Sequence, residues 1–455
     1  MWSLLTILAC RPPDELGAPD PAAPHAPDSG PAPTAPAPEP LIGIVDVSSH
    51  DRVPSVVVIE IAARVPVTVQ VTASVDDVPP IVGPAVAASA GATRLPVLGL
   101  PAGAEVSLSV RATADGAETT LDLQVTTGDY LGLPEFVASN YDADRADPTR
   151  WLLLTCATGA LWGGDPWAVV VLDRRARPVW AWTGPPDAWM QYVQRAASGD
   201  ALLVGDVSPL GAKAPHAQVQ RVRFDGVVVG ATPIADGHHA FVELPDGRLA
   251  WGAWRDGVER LQVEQPDGGV ATLWDSDAWG RSIGEIATTQ SNALTYDAAS
   301  DQLVFSLWNR DTVLLIDATT GAIRRQLGAA PGSAPFADPA DTFTFQHGAH
   351  LLADGHLLLT STTPGAPTFA REYAIGGDPV VQVWASDADG AVAPQMGEPH
   401  RLPNGNTLLN FGTTGAIREI TPDGDVVWAV APSAERAVGR MIPLDDLDAL
   451  WPAAW

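Results

Sequence analysis

The sequence predicts an all-β protein: a β-propeller, read as six-bladed, preceded by a small Ig-like or fibronectin-like β-sandwich. Three observations predict it. Composition is the first: 42 Gly, 42 Pro and 16 Trp in 455 residues, with apolar runs rich in Val and Ile, describe a chain of turns and strands. The second is clean alternation of apolar and polar residues within 41–127. The third is a unit of two strand–turn–strand hairpins that recurs about every 50 residues after 128, which is the period of a four-stranded blade.

The elements follow in chain order. Residues 1–10, Met-Trp-Ser-Leu-Leu-Thr-Ile-Leu-Ala-Cys, resemble a lipoprotein signal in which a small residue precedes the cysteine that takes the lipid. The basic n-region of such signals is missing. Residues 11–40 are a Pro/Ala-rich tether, with too few large apolar groups to offset ordering entropy. Together they predict an exported protein, periplasmic or cell-surface, anchored by lipid on Cys10.

Residues 41–127 carry Val67-Thr-Val-Gln-Val-Thr-Ala, Val106-Ser-Leu-Ser-Val-Arg-Ala and Leu121-Asp-Leu-Gln-Val-Thr. Strict period two is the mark of half-buried strands, and about seven of them in this length fit a sandwich. No chemistry is visible there.

Residues 128–455 hold the repeats. First turns are Ala197-Ser-Gly-Asp, Pro245-Asp-Gly-Arg, Ala299-Ser-Asp-Gln, Ala353-Asp-Gly-His and Pro403-Asn-Gly-Asn. Second turns are read at Phe224-Asp-Gly, Pro266-Asp-Gly, Asp317-Ala-Thr-Thr-Gly, Asp387-Ala-Asp-Gly and Pro422-Asp-Gly. Asp-Gly and Asn-Gly suit tight hairpins because their turns need positive φ. The stretch 151–184 supplies a sixth blade. A count of seven stays open if 128–150 holds further strands, and a solenoid is the structural rival.

Charge narrows the partners. The net charge of −28 repels a phosphate backbone, so no nucleic-acid partner is expected. Two cysteines, Cys10 and Cys156, make no disulfide framework. Asp387-Ala-Asp-Gly lacks the downstream ligands of a calcium loop, and no metal site is predicted.

Propeller ligands bind around the central channel. Six residues before each first turn stand Gln191, His239, Ala293, His347 and Gly397, with His238 and Asn292 one position earlier. Equal offsets in a repeat mean equal depth along the axis, so these residues should meet at one mouth. Taken alone, each histidine is a polar group in a turn; the shared register points to imidazole chemistry.

The segments Gly237-His-His-Ala, Ser291-Asn-Ala-Leu-Thr-Tyr-Asp, Gln346-His-Gly-Ala-His and Met396-Gly-Glu-Pro-His-Arg-Leu-Pro-Asn-Gly-Asn resemble, in this order and over roughly 230–430, the arylsulfotransferase family. The resemblance implies sulfuryl transfer from an aryl sulfate to a phenolic acceptor without cofactor. It implies His347 as the nucleophile that becomes a sulfohistidine, with His238 or His239 and Asn292 on the sulfuryl oxygens. Three positions depart from the family. Gln290 replaces a histidine, Trp308 an arginine, and Ala240 an aspartate. Arg310 or Arg440 would have to supply the missing guanidinium, and Trp308 would stack on an aromatic donor. The alternatives are a non-catalytic propeller binding a small molecule or protein at the same mouth, and a different enzyme, hydrolase or lyase, on the same scaffold.

Overall fold

The computed structural model describes residues 39–76, 79–160, 165–186, 188–207, 217–285, 288–363, 365–386 and 390–452. Cys10 and the tether up to residue 38 lie outside the described residues, as do three of the four residues of the Asp387–Gly390 turn. No helix among the described residues is long and apolar enough to cross a membrane.

The sandwich has two antiparallel sheets. Ile42–Ser49, Val57–Ala63 and Gly91–Val97 form one; Val67–Ser74 is the centre of the other, pairing with Ile81–Val82, Val86–Ala88 and Glu105–Ala114, beside which lies Ala117–Thr126. Alternation decides which side chains face inward. Val67, Val69, Val71 and Ala73 are buried, as are Val106, Leu108, Val110 and Ala112 across the sheet.

The propeller has six blades. Blades two to five run in simple order from the axis outward: Tyr192–Arg195 to Val228–Pro233, Gly237–Glu243 to Val270–Asp275, Ser291–Asp297 to Ile323–Gly328, and His347–Leu351 to Val381–Ala385. Their second strands are continuous apolar runs because neighbouring blades cover both faces. Leu303, Val304 and Phe305 are all fully buried, for example. The first turn works as read: Gly355 sits at φ +84° with open space where a Cβ would be, so backbone conformation alone demands glycine there.

Blades one and six close the ring and are each built from both ends of the propeller chain. Blade one is Trp151–Ala157, Trp167–Asp173 and Pro178–Thr183, completed at the axis by the C-terminal strand Val438–Leu444. Blade six is Glu398–Arg401, Thr407–Asn410, Ile417–Ile420 and Val426–Pro432, with Phe136–Tyr141 as a fifth, outermost strand. The stretch 128–150 therefore does hold a strand, but it widens blade six and adds no seventh blade. A buried polar cluster reinforces this seam: Arg174 donates to Glu419 at 2.7 Å, and Glu419 also accepts from the Asp147 N–H and from Asn406.

One second turn is corrected. In blade five the third and fourth strands, Phe369–Ala374 and Val381–Ala385, are joined through residues 375–380. Asp387–Gly390 comes after the outer strand, on the path to blade six. The six-residue bridge has no Asp-Gly or Asn-Gly, the signal on which the turn assignment rested.

The sandwich packs on the outer edge of blade one. Ser55 Oγ donates to the Val179 carbonyl at 2.7 Å, and the Ala102 N–H to the Pro178 carbonyl at 2.9 Å. Val53, Val56 and Leu98 join the apolar cluster of blades one and two. An otherwise open strand edge is thereby covered. Cys156 is fully buried in blade one, where burial pushes its thiol up to about 12, as expected of a core cysteine.

Candidate functional site

The inner strands begin at one mouth of the channel, and three of them begin irregularly. Pairing with the second strand shifts between Gly237 and Phe241, between Ser291 and Ala293, and between His347 and His350. Such bulges re-aim side chains. Here they turn His239, Asn292 and His347 toward the axis, where a cavity of about 270 Å³ opens. Its wall also includes Gln191, Gln290, Trp308, Phe345 and Arg440. Every lining residue belongs to the propeller.

The repeat register thus brings Gln191, His239, Asn292 and His347 together from four blades. It does not bring His238. That side chain is fully buried behind His239, its Nδ1 2.7 Å from His239 Nδ1 and its Nε2 2.9 Å from Glu259 Oε2. His239 takes φ +54°, and this left-handed residue inside the bulge decides which of the two neighbours faces the cavity. Arg310 is also absent from the wall, because it is ion-paired with Glu285. Gln290 and Trp308 are present. Trp308 stands edge-on to Phe345 with centroids 5.0 Å apart, and Phe345 lies 5.6 Å from the His347 ring. One side of the cavity is therefore aromatic.

His347 is held in a defined state. Its Nδ1 lies 3.3 Å from the Phe345 carbonyl, which can only accept, so Nδ1 carries the proton and Nε2 keeps its lone pair. Among the described residues Nε2 has no protein partner. Burial pulls the pKa of His347 down to about 4, against the small opposing effect of the Phe345 carbonyl. His239 is lowered well below its ordinary value by burial, then by His238 and His347. Both imidazoles are neutral at pH 7.

The opposite wall is polar and carries buried donors without partners. Gln191 Nε2 and Arg440 Nε are buried with no hydrogen bond. Asn292 donates to the Gln346 carbonyl at 2.7 Å, and its Oδ1 is the atom left unpartnered. Arg440 donates through one nitrogen to Glu398 Oε1 at 2.9 Å and to the Tyr192 hydroxyl. Burial works against ionisation of Glu398, but Arg440, His400 and the Met441 N–H outweigh it and hold the carboxyl at about 2. Burial pushes the Tyr192 hydroxyl up to about 12.

Sequence reasoning missed Glu259, Glu398, Tyr192 and Phe345. Glu259 had a readable signal. In Val258–Glu264 the buried positions are Glu259, Leu261 and Val263, so a carboxylate stands in phase with the apolar face. Phe345 and Trp308 lie outside the inner strands, and no register places them.

No protein-family model matches the sequence, and no curated protein matches it. Solved structures similar in fold are β-propellers at low identity. A protein of unknown function from Bacteroides caccae is 13% identical with a TM-score of 0.45, covering 66% of this chain and 100% of that one. The periplasmic gluconolactonase of Pseudomonas aeruginosa is 13% identical with a TM-score of 0.42, covering 83% and 99%. Virginiamycin B lyase from Staphylococcus aureus is 9% identical with a TM-score of 0.40, covering 68% and 99%. None of these likenesses carries an activity over to this chain.

Among the described residues one group has metal-ligand chemistry: Asp354 and His356 in the first turn of blade five and Glu372 on its third strand. Glu372 there already pairs with Arg401 and with His356.

Proposed function

We propose that the chain transfers a sulfuryl group from an aryl sulfate to a phenol through a sulfohistidine on His347. One observation carries the reading. A neutral imidazole, its tautomer set by the Phe345 carbonyl, offers Nε2 to a cavity with an aromatic wall on one side and unpartnered donors on Gln191 and Arg440 on the other. The aryl ring of a donor packs against the wall that Trp308 and Phe345 form together, and the sulfuryl oxygens take the N–H groups of Gln191 and Arg440. Fixed donors facing developing negative charge are the main electrostatic requirement of such a transfer.

In the first half-reaction the Nε2 lone pair forms the N–S bond as the S–O bond to the aryl group breaks. The aryl oxygen leaves with the electron pair and takes up a proton. In the second half a phenol oxygen attacks sulfur, the N–S electron pair returns to His347, and the phenol releases its proton. Relative to the family, Arg440 stands in for the arginine replaced by Trp308, from a different blade, and Arg310 does not take part.

A second reading is favoured by the pairing of Arg440 with Glu398, which leaves the wall without an unneutralised guanidinium. On that reading the cavity binds an uncharged aromatic ligand without turnover. One assay separates the two. Wild type and His347→Ala are mixed with 4-nitrophenyl sulfate and excess phenol, and nitrophenol release is followed. Sulfuryl transfer requires release that depends on phenol and on His347, with an added sulfuryl mass on the His347 peptide after acid-free quenching. Equal release by both proteins, with no added mass, removes it.

A further inference from the structure

Behind the cavity wall lies a chain of three side chains that sulfuryl transfer by His347 alone does not use. Glu259, on the third strand of blade three, is fully buried. Its carboxylate receives His238 Nε2 at 2.9 and 3.0 Å and the Ser291 hydroxyl at 2.7 Å. His238 Nδ1 meets His239 Nδ1 at 2.7 Å, with the rings nearly perpendicular. His239 lines the cavity, and among the described residues its Nε2 has no protein partner.

The blade makes room for this chain. A Cβ on Gly252, in the neighbouring strand, would stand 2.5 Å from Ser291 Oγ and 3.1 Å from Glu259 Oε1. A dry blade interior gains nothing from an isolated carboxylate. The side chains that meet Glu259 here, His238 and Ser291, both donate to it, and His238 is the one that also contacts the cavity-lining His239.

The proton inventory is restricted. Glu259 only accepts, so His238 Nε2 carries a hydrogen. Two nitrogens 2.7 Å apart share one hydrogen between them. When it resides on His238, that ring is an imidazolium beside the carboxylate, and His239 presents an Nε2–H to the cavity. When it resides on His239, both rings are neutral and His239 Nε2 presents a lone pair. The two states differ by one proton at His239 Nε2.

We infer that Glu259, His238 and His239 form a proton relay that gives a proton to the departing aryl oxygen and takes one from the incoming phenol. The inference rests on the sulfuryl-transfer reading. As the S–O bond breaks, the electron pair on the aryl oxygen takes the proton of His239 Nε2, and His239 Nδ1 takes the shared hydrogen from His238. In the second half-reaction the phenol proton goes to His239 Nε2, and the shared hydrogen returns to His238. Protons balance over the cycle with no outside acid. Glu259 and His238 are positioning residues; His239 is the group that touches substrate.

Leaving-group dependence tests this in the full-length chain. Phenyl sulfate releases a basic phenoxide that needs a proton, and 4-nitrophenyl sulfate a weakly basic one that needs it little. Glu259→Gln is expected to slow sulfohistidine formation from phenyl sulfate by about 100-fold or more, within the usual range of general acid catalysis. From 4-nitrophenyl sulfate the loss should be below about tenfold. Equal losses on both donors would mean a structural role and overturn the relay. A second readout needs no turnover: nitrogen-15 spectra of the imidazoles should show the shared Nδ1 hydrogen in wild type and its loss in Glu259→Gln. Its absence from wild type also overturns the relay. If wild type forms no sulfohistidine with either donor, sulfuryl transfer falls, and the nitrogen spectra still decide whether the hydrogen is shared.

Discussion

Glu398 offers the sharpest test of the cavity's electrostatics. It opens the inner strand of blade six, and its carboxylate meets Arg440 and the Met441 N–H on the strand that closes blade one. The carboxyl is held at about 2 instead of an ordinary 4.5, against the penalty of burial. A folded-state value below the unfolded one stabilises the fold above pH 4.5, and the benefit fades as pH falls toward 2. At about 1.4 kcal/mol per pH unit, the gap is worth about 3 kcal/mol at pH 7 and about 1 kcal/mol at pH 3. Glu398→Gln removes this term and leaves Arg440 buried without its charge partner, so the total loss at pH 7 is about 3–5 kcal/mol. Urea unfolding followed by tryptophan fluorescence, at pH 7 and pH 3, measures the deficit of the variant. It should narrow by about 2 kcal/mol on acidification. An equal deficit at both pH values would show that Arg440 does not hold this carboxylate ionised, and the polar wall would have to be redrawn.

Three further outcomes are expected. Sulfohistidine formation should keep its rate from pH 7 down to about 5 and fall only near pH 4, because protonation removes the lone pair of His347 at about 4; a limb near 6.5 in stopped-flow pH profiles contradicts the burial argument. Trp308→Ala removes the ring that stands edge-on to Phe345 and should raise the half-saturating donor concentration about three- to tenfold, the worth of one aromatic contact, with little change in the saturating rate. Gly252→Ala pushes a methyl group against Ser291 and Glu259. It should cost about 1–3 kcal/mol by overpacking in thermal unfolding and erase the shared imidazole hydrogen from the nitrogen spectra.

What could be read from the sequence was whatever the repeat imposes. Turns at a fixed offset put Gln191, His239 and His347 at one depth, with Asn292 one position earlier, because equivalent positions of equivalent blades share a height on the axis. What could not be read depends on departures from the repeat. The choice between His238 and His239 is made by a single positive φ within a bulge, and alternation has no information on it. Phe136–Tyr141 has mostly exposed side chains and only Phe136 buried, so as an edge strand it has no apolar pattern to announce it. Arg440 reaches the cavity only because the last strand of the chain pairs beside the first strands of the propeller. Glu259 is the instructive failure. It keeps the inward phase of Leu261 and Val263, although a carboxylate in an alternating strand ordinarily faces solvent.

The ring closure also sets an order of events during synthesis. Blades two to five are contiguous in the chain and pair with their own neighbours as they emerge. His239 and His347 of the cavity belong to these blades. Arg440 lies on Val438–Leu444, the strand that completes blade one, and it leaves the ribosome after every other wall residue named here. A nascent propeller consequently has imidazoles at an open channel mouth but no guanidinium opposite them. The polar wall is complete only when the ring shuts, so a chain truncated before residue 438 would keep His239 and His347 at the channel mouth but lack Arg440 opposite them.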